Sequence, residues 1–186
     1  MNNDELLARV ASMTPQQLAK ELYIDPVSGI QNRNAFNLAY TDGPIAIIDA
    51  DSLKWVNDNM GHVAGDRLLR KLGQALKEQF GGDAYHLSGD EFAVVLEDRH
   101  GADLLLGWLQ TKMQTEWLSW PVSGGHFMDL QGAGAFSYGI GHSLTKADST
   151  MQEDKLCREI DGIRAGRGEA PPGLELRRTA KLAELL

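Results

Sequence analysis

Leu68, Leu72, Leu76 and Phe80 recur at every fourth position with Leu69 beside them, a spacing that predicts a long amphipathic helix. It is expected to start at Gly65-Asp66 and to close at Gly81-Gly82. A shorter helix is predicted over residues 52–59, ended by Gly61. Residues 44–48 are continuously apolar and rich in branched side chains, the pattern of a strand buried on both faces. Residues 83–87 and 92–96 read as two strands about a Ser88-Gly89 turn, a hairpin. A helix is expected from about 102 to 117, with Leu105, Trp108, Leu109 and Met113 on its apolar stripe. Residues 127–130 and 135–140 read as two further strands, and 151–164 as a helix.

The ends of the chain are patterned differently. The first 24 residues read as helical, with Thr14-Pro15-Gln16-Gln17 forming a capping box that has Pro at the first helical position. Residues 25–29 form a turn-rich boundary, after which Asn32 caps a helix running to about Tyr40. Pro171-Pro172 is a linker, and residues 174–186 are expected to form a terminal helix. The element order fits an α+β fold: a ferredoxin-like, antiparallel-rich central sheet flanked by helices. Three regions are expected: a helical appendage over 1–24, one domain over 25–170 and a tail over 171–186.

Composition narrows the function. The 186 residues suit one domain, and 42% hydrophobic content is ordinary for a globular chain. A net charge of -8 argues against DNA or RNA as a partner, because such binders are usually basic. A nucleotide substrate stays open, since a bound cation offsets local acidity. The single cysteine, Cys157, excludes an intrachain disulfide and reads as a packing thiol. No signal peptide and no apolar run of membrane-spanning length is seen, so a cytoplasmic protein without membrane contact is expected.

The chemistry sits where strands end. The 44–48 strand runs into Asp49 and Asp51, and the hairpin turn carries Asp90 and Glu91. If the two strands are neighbours, Asp49 and Asp90 converge, and Mg²⁺ commonly takes one or two carboxylates together with phosphate oxygens. Lys54, just beyond the first acidic end, is placed to offset phosphate charge. Asn57 and Asp66 make a polar pair that matches a guanine edge, with His62 between them. Each of these side chains taken alone has a plainer reading as a solvated strand end, turn or helix residue.

Together they resemble the GGDEF family of diguanylate cyclases. Asp25-Pro26-Val27-Ser28-Gly29-Ile30-Gln31-Asn32-Arg33 resembles the family's opening motif, and Asp49-Ala50-Asp51-Ser52-Leu53-Lys54-Trp55-Val56-Asn57-Asp58 its metal and nucleotide segment. Gly61-His62-Val63-Ala64-Gly65-Asp66 resembles the guanine-contact segment, and Ser88-Gly89-Asp90-Glu91-Phe92 stands where the signature turn belongs. Phe136-Ser137-Tyr138-Gly139-Ile140-Gly141 resembles a late strand of the family. The order of motifs is kept from about Asp25 to Gly168.

The resemblance implies a nucleotidyl-cyclase-type sheet and the condensation of two GTP into cyclic di-GMP, with two pyrophosphates released, at a homodimer interface. It implies Mg²⁺, or Mn²⁺ in its place, held by Asp49, the Ala50 carbonyl and Asp90, with Glu91 supporting a second metal or the turn. Asp90 is implied as proton acceptor and Lys54 as stabiliser of the transition state. Asn57, His62 and Asp66 are implied nucleotide contacts, with Asn57 and Asp66 on guanine; Ser88 and Gly89 lie against the nucleotide. Arg164-Ala165-Gly166-Arg167-Gly168 stands where a Lys and an Arg usually face phosphates, which makes Arg167 a phosphate candidate. The family's inhibitory Arg-x-x-Asp is replaced by Gln79-Phe80-Gly81-Gly82, so no product inhibition through that site is expected.

Two departures, Ser88 for the first signature glycine and the irregular late basic segment, keep a second reading open: an inactive GTP-binding module that regulates a protein partner. A pure interaction domain is a third reading, opposed by the full metal and guanine set.

Overall fold

The computed structural model describes residues 2–121, 127–132, 135–164 and 175–179. Its elements in order are α1 (Asn3–Ala11), α2 (Pro15–Tyr23), β1 (Gln31–Asn32), α3 (Arg33–Ala39), β2 (Ile45–Ala50), α4 (Leu53–Met60) and α5 (His62–Phe80). After a single 3-10 turn at Gly81–Asp83 come β3 (Ala84–Ser88), β4 (Glu91–Val95), α6 (Arg99–Thr115), β5 (Trp117–Pro121), β6 (Phe127–Gln131), β7 (Phe136–Gly141), α7 (Leu144–Arg164) and β8 (Glu175–Thr179).

Five strands form the central sheet in the order β1-β3-β4-β2-β7. Only the β1–β3 pair is parallel. β2 is covered on both faces, which is why its apolar run is continuous. Successive side chains of a strand point to opposite faces. Accordingly Ala46, Ile48 and Ala50 join the core packed under α4, α5 and α6, whereas Ile45 and Ile47 join the one under α3 and α7. By the same alternation Asp49 falls on the α7 face.

Two glycines let α7 lie directly on β7. A Cβ on Gly139 would stand 2.1 Å from the Met151 nitrogen, and one on Gly141 would stand 2.3 Å from the Ala147 nitrogen. No ordinary side chain fits at either position. Ala147 and Met151, one helical turn apart, are fully buried against the sheet.

The structure corrects several expectations. The long helix starts at His62, three residues before Gly65. The last long helix starts at Leu144, not at 151. On α6 the buried stripe is Ala102, Leu106, Leu109 and Met113, while Leu105 and Trp108 are 42% and 52% exposed. Leu104, Leu105 and Leu106 stand side by side, so composition alone does not fix the phase of that stripe. β5 and β8 were not expected, and residues 175–179 form a strand where a terminal helix was predicted. β8 pairs with β6, which supplies a sheet partner that local helical propensity does not anticipate.

Candidate active site

The acidic end of β2 is locked to the β3–β4 turn. Asp49 pairs with Glu91 across the β2–β4 ladder, and the Ala50 N–H donates to the Asp90 carbonyl at 2.9 Å. On the other side Asp49 pairs with Ser137 of β7. The neighbouring Asp51 accepts a hydrogen bond from the buried Ser137 hydroxyl at 2.6 Å.

Asp49 is buried, and Lys155 of α7 reaches it with Nζ 2.7 Å from Oδ1. Lys155 lies one turn beyond Met151 on the face that the two glycines seat against β7, so close helix–sheet packing delivers the ammonium. Burial pushes the Asp49 carboxyl above its ordinary range, Lys155 pulls it back, and the negative charges of Asp90 and Glu91 push it further up. Burial alone would lower the Lys155 ammonium; Asp49 first, then Asp90 and Asp51, hold it above the ordinary lysine value. Asp49 is therefore a buried carboxylate held by one ammonium, within the field of the Asp90 and Glu91 charges.

The turn itself needs a glycine, because Gly89 has φ 53°. The Ser88 hydroxyl donates to Glu91 Oε2 at 3.0 Å, and Arg33 stands 3.8 Å from the same oxygen. Arg33 Nε also donates to the Leu87 carbonyl at 3.0 Å, so α3 braces the turn from outside.

Beyond β2, α4 and α5 form a tight corner. A Cβ on Gly65 would overlap the Asn57 amide oxygen, so this glycine makes the space in which Asn57 sits. Asn57 is half-buried there, with Asp66 next to Gly65 in the chain and exposed. His62 is exposed in the first turn of α5, and Lys54 is exposed in the first turn of α4.

The family profile described as "Diguanylate cyclase, GGDEF domain" matches residues 22–161. The chain belongs to the GGDEF family. It is 37% identical over 108 residues to diguanylate cyclase DgcN of Escherichia coli (strain K12), covering 51% of this chain and 26% of that protein. Diguanylate cyclase DgcS of Shewanella oneidensis is 22% identical over 166 residues, covering 81% of this chain and 51% of that protein. The chain thus spans between a quarter and a half of these two relatives. Among solved structures, the FimX GGDEF domain from Pseudomonas aeruginosa superposes with a TM-score of 0.60 at 20% identity, covering 73% of this chain and 94% of that one. This likeness extends to the fold, the five-stranded sheet with helices on its faces.

Within this GGDEF domain the structure pairs the Asp49-Ala50 strand end with the Asp90-Glu91 turn and sets Asn57 beside Gly65. Arg167 lies outside the described residues. Among the described residues no group of three or more metal-ligating side chains is found. Two carboxylates and a carbonyl instead suit Mg²⁺, a hard cation that completes its shell with water and phosphate oxygens.

Lys155 was missed from sequence, although Ala147, Met151 and Lys155 repeat at every fourth position. Starting the last helix at 151 hid that repeat. The brace from Arg33 was missed as well, because it spans 54 residues. Among the described residues no helix is long and apolar enough to cross a membrane.

Proposed function

We propose that this chain is a diguanylate cyclase that condenses two GTP into cyclic di-GMP. The observation that carries the reading is the pairing of the Asp49 strand end, which Lys155 reaches, with the turn that carries Asp90 and Glu91, in a domain of the GGDEF family. Such a site suits a polyphosphate: acidic groups to share a cation, with lysines for the remaining phosphate charge.

Asn57 and Asp66 take the guanine edge, the carboxylate accepting from N1–H and the exocyclic amine. Ser88 and Gly89 let the turn approach the phosphates, and His62 lies along the nucleotide. Lys54 and Lys155 offset negative charge at the phosphates. Each 3′-hydroxyl attacks the α-phosphate of the other GTP; its proton passes to Asp90, and pyrophosphate leaves. Mg²⁺, or Mn²⁺, held by Asp49, the Ala50 carbonyl and Asp90 with Glu91 in support, supplies charge neutralisation of the phosphates when bound. Each chain offers one half-site, so turnover needs a homodimer. With Gln79-Phe80-Gly81-Gly82 in place of Arg-x-x-Asp, product inhibition through that segment is absent.

A second reading, a GTP-binding regulator of a protein partner without turnover, is favoured by the Ser88 hydroxyl, which occupies a Glu91 oxygen. Incubation with GTP and Mg²⁺ separates the two. Cyclic di-GMP from the wild type supports the cyclase. GTP binding without product supports the regulator, and neither binding nor product overturns both.

A further inference from the structure

His86 lies on β3 with only 7% of its surface exposed, stacked on Phe92 at 4.4 Å between ring centroids. Its two ring nitrogens face two oxygens. Nε2 is 3.0 Å from the carbonyl of Gly89, the positive-φ glycine of the signature turn. Nδ1 is 2.9 Å from Asp25 Oδ1. A carbonyl oxygen only accepts, so Nε2 carries a proton. Nδ1 makes no hydrogen bond, and its 2.9 Å approach to the Asp25 carboxylate is a charge contact. That contact is an ion pair and is attractive only when the ring is charged.

We infer that His86 is a positioning residue which, as an imidazolium, ties the Ser88-Gly89 turn to Asp25 and so fixes where the turn meets the nucleotide. The claim rests on the function proposed above. Asp25 is well built as the anchor. Its Oδ1 also accepts from the Ser28 N–H, the Val27 N–H and the Ser28 hydroxyl, and its own N–H donates to the Ile30 carbonyl. Although burial opposes ionisation of Asp25, the Ser28 N–H and His86 outweigh it and hold the carboxyl below its ordinary value.

Charged groups reach this region from several elements. Asp25 comes from the loop before β1, Arg33 from α3, Asp90 and Glu91 from the turn and β4, and Arg70 from α5, where it donates to the Val27 carbonyl. Asp25 is the one among them with an ion pair to the ring. Loss of the ring's positive charge leaves the Nε2 N–H on the Gly89 carbonyl but removes the attraction to Asp25, and the tie between turn and anchor weakens.

The test combines nitrogen-15 spectra of the histidine ring with GTP·Mg²⁺ calorimetry on the full chain, from about pH 5.5 to 8.5, the range in which imidazoles titrate. The expected result is a doubly protonated His86 at the acid end, with the Gly89 amide signal shifting as the ring titrates. GTP affinity falls about tenfold across that shift, the size of one lost partly buried charge pair. His86→Gln binds GTP about tenfold more weakly at the acid end, with a pH profile flattened relative to wild type. His86→Arg, whose charge does not titrate, restores affinity and keeps the flat profile.

A singly protonated ring throughout, or a Gly89 signal indifferent to its titration, overturns the inference. So does a pH profile of GTP affinity that is the same in wild type and His86→Gln. Because the ring spectra need no nucleotide, failure to bind GTP overturns the proposed function while the tie between His86 and the turn is still decided.

Discussion

Replacing Gly139 by Ala is expected to disturb the candidate active site through α7. The added Cβ would lie 2.1 Å from the Met151 nitrogen, 2.4 Å from the Ala147 carbonyl oxygen and 2.6 Å from the Thr150 carbonyl carbon. Ordinary contacts need about 3.5 Å, so α7 must withdraw by roughly 1 Å or more. All three atoms are backbone, so no rotamer change relieves the clash. Over-packing of this kind costs about 1–3 kcal/mol. For a chain of this size that is a fall in melting temperature of roughly 3–10 °C.

Lys155 rides on the same helix face, so its 2.7 Å contact with Asp49 should lengthen and weaken. Thermal unfolding followed by circular dichroism, with GTP calorimetry beside it, reads both effects. Gly107→Ala on α6 is the control, because its Cβ would meet only the Tyr138 hydroxyl at 3.4 Å. There the helical preference for Ala gains up to about 1 kcal/mol. A Gly139→Ala protein that melts with the wild type and binds GTP equally well would refute the packing argument.

Four further perturbations follow from the charges and the turn. Lys155→Met leaves Asp49 without its partner; we expect a loss of about 1–3 kcal/mol, between exposed and buried pairs, and weaker GTP binding by calorimetry. In metal-free buffer the raised Asp49 carboxyl makes the native chain hold more protons than the unfolded one just above the ordinary Asp range. Stability therefore falls as pH rises through that window, and urea melts of Asp49→Asn should lack this slope. Asp25 has the opposite sign: its carboxyl is held low, so it stabilises above the ordinary value of 3.8 and the gain is lost as pH falls through the depressed value. Acid-unfolding curves of Asp25→Asn should lack that loss. Ser88→Gly removes an exposed hydrogen bond to Glu91, so stability should stay within about 0.5 kcal/mol while GTP binding is kept or improved in calorimetry.

Much of the central sheet was legible because its signals are local. The apolar run of β2 marked a strand covered on both faces, and the leucines of α5 marked a helix face at 3.6-residue spacing. Asn32 caps α3 through its side chain as its type suggests, accepting from the Asn34 and Ala35 N–H groups. What escaped was set by distant partners. β8 exists as a strand through pairing with β6, and the phase of α6 follows the core it meets rather than its leucine count.

The site divides in the same way. Asp49 and Asp90 stood at recognisable strand and turn ends, so their convergence required only that β2 and β4 be neighbours. Lys155 is 106 residues from Asp49, and its arrival depends on two glycines that strip β7 of side chains beneath α7. His86 was passed over because a lone histidine has no spacing to report; its meaning comes from Asp25 and Gly89.

The central claim, that the β2 end and the signature turn form a GTP-condensing half-site, is tested most directly by mass-spectrometric detection of cyclic di-GMP after incubation with GTP and Mg²⁺. The expected result is product from the wild type, a rate that rises more steeply than linearly with protein concentration, and no product from a folded Asp90→Ala variant. Absence of product from wild type at high protein concentration, or equal product from Asp90→Ala, would contradict it.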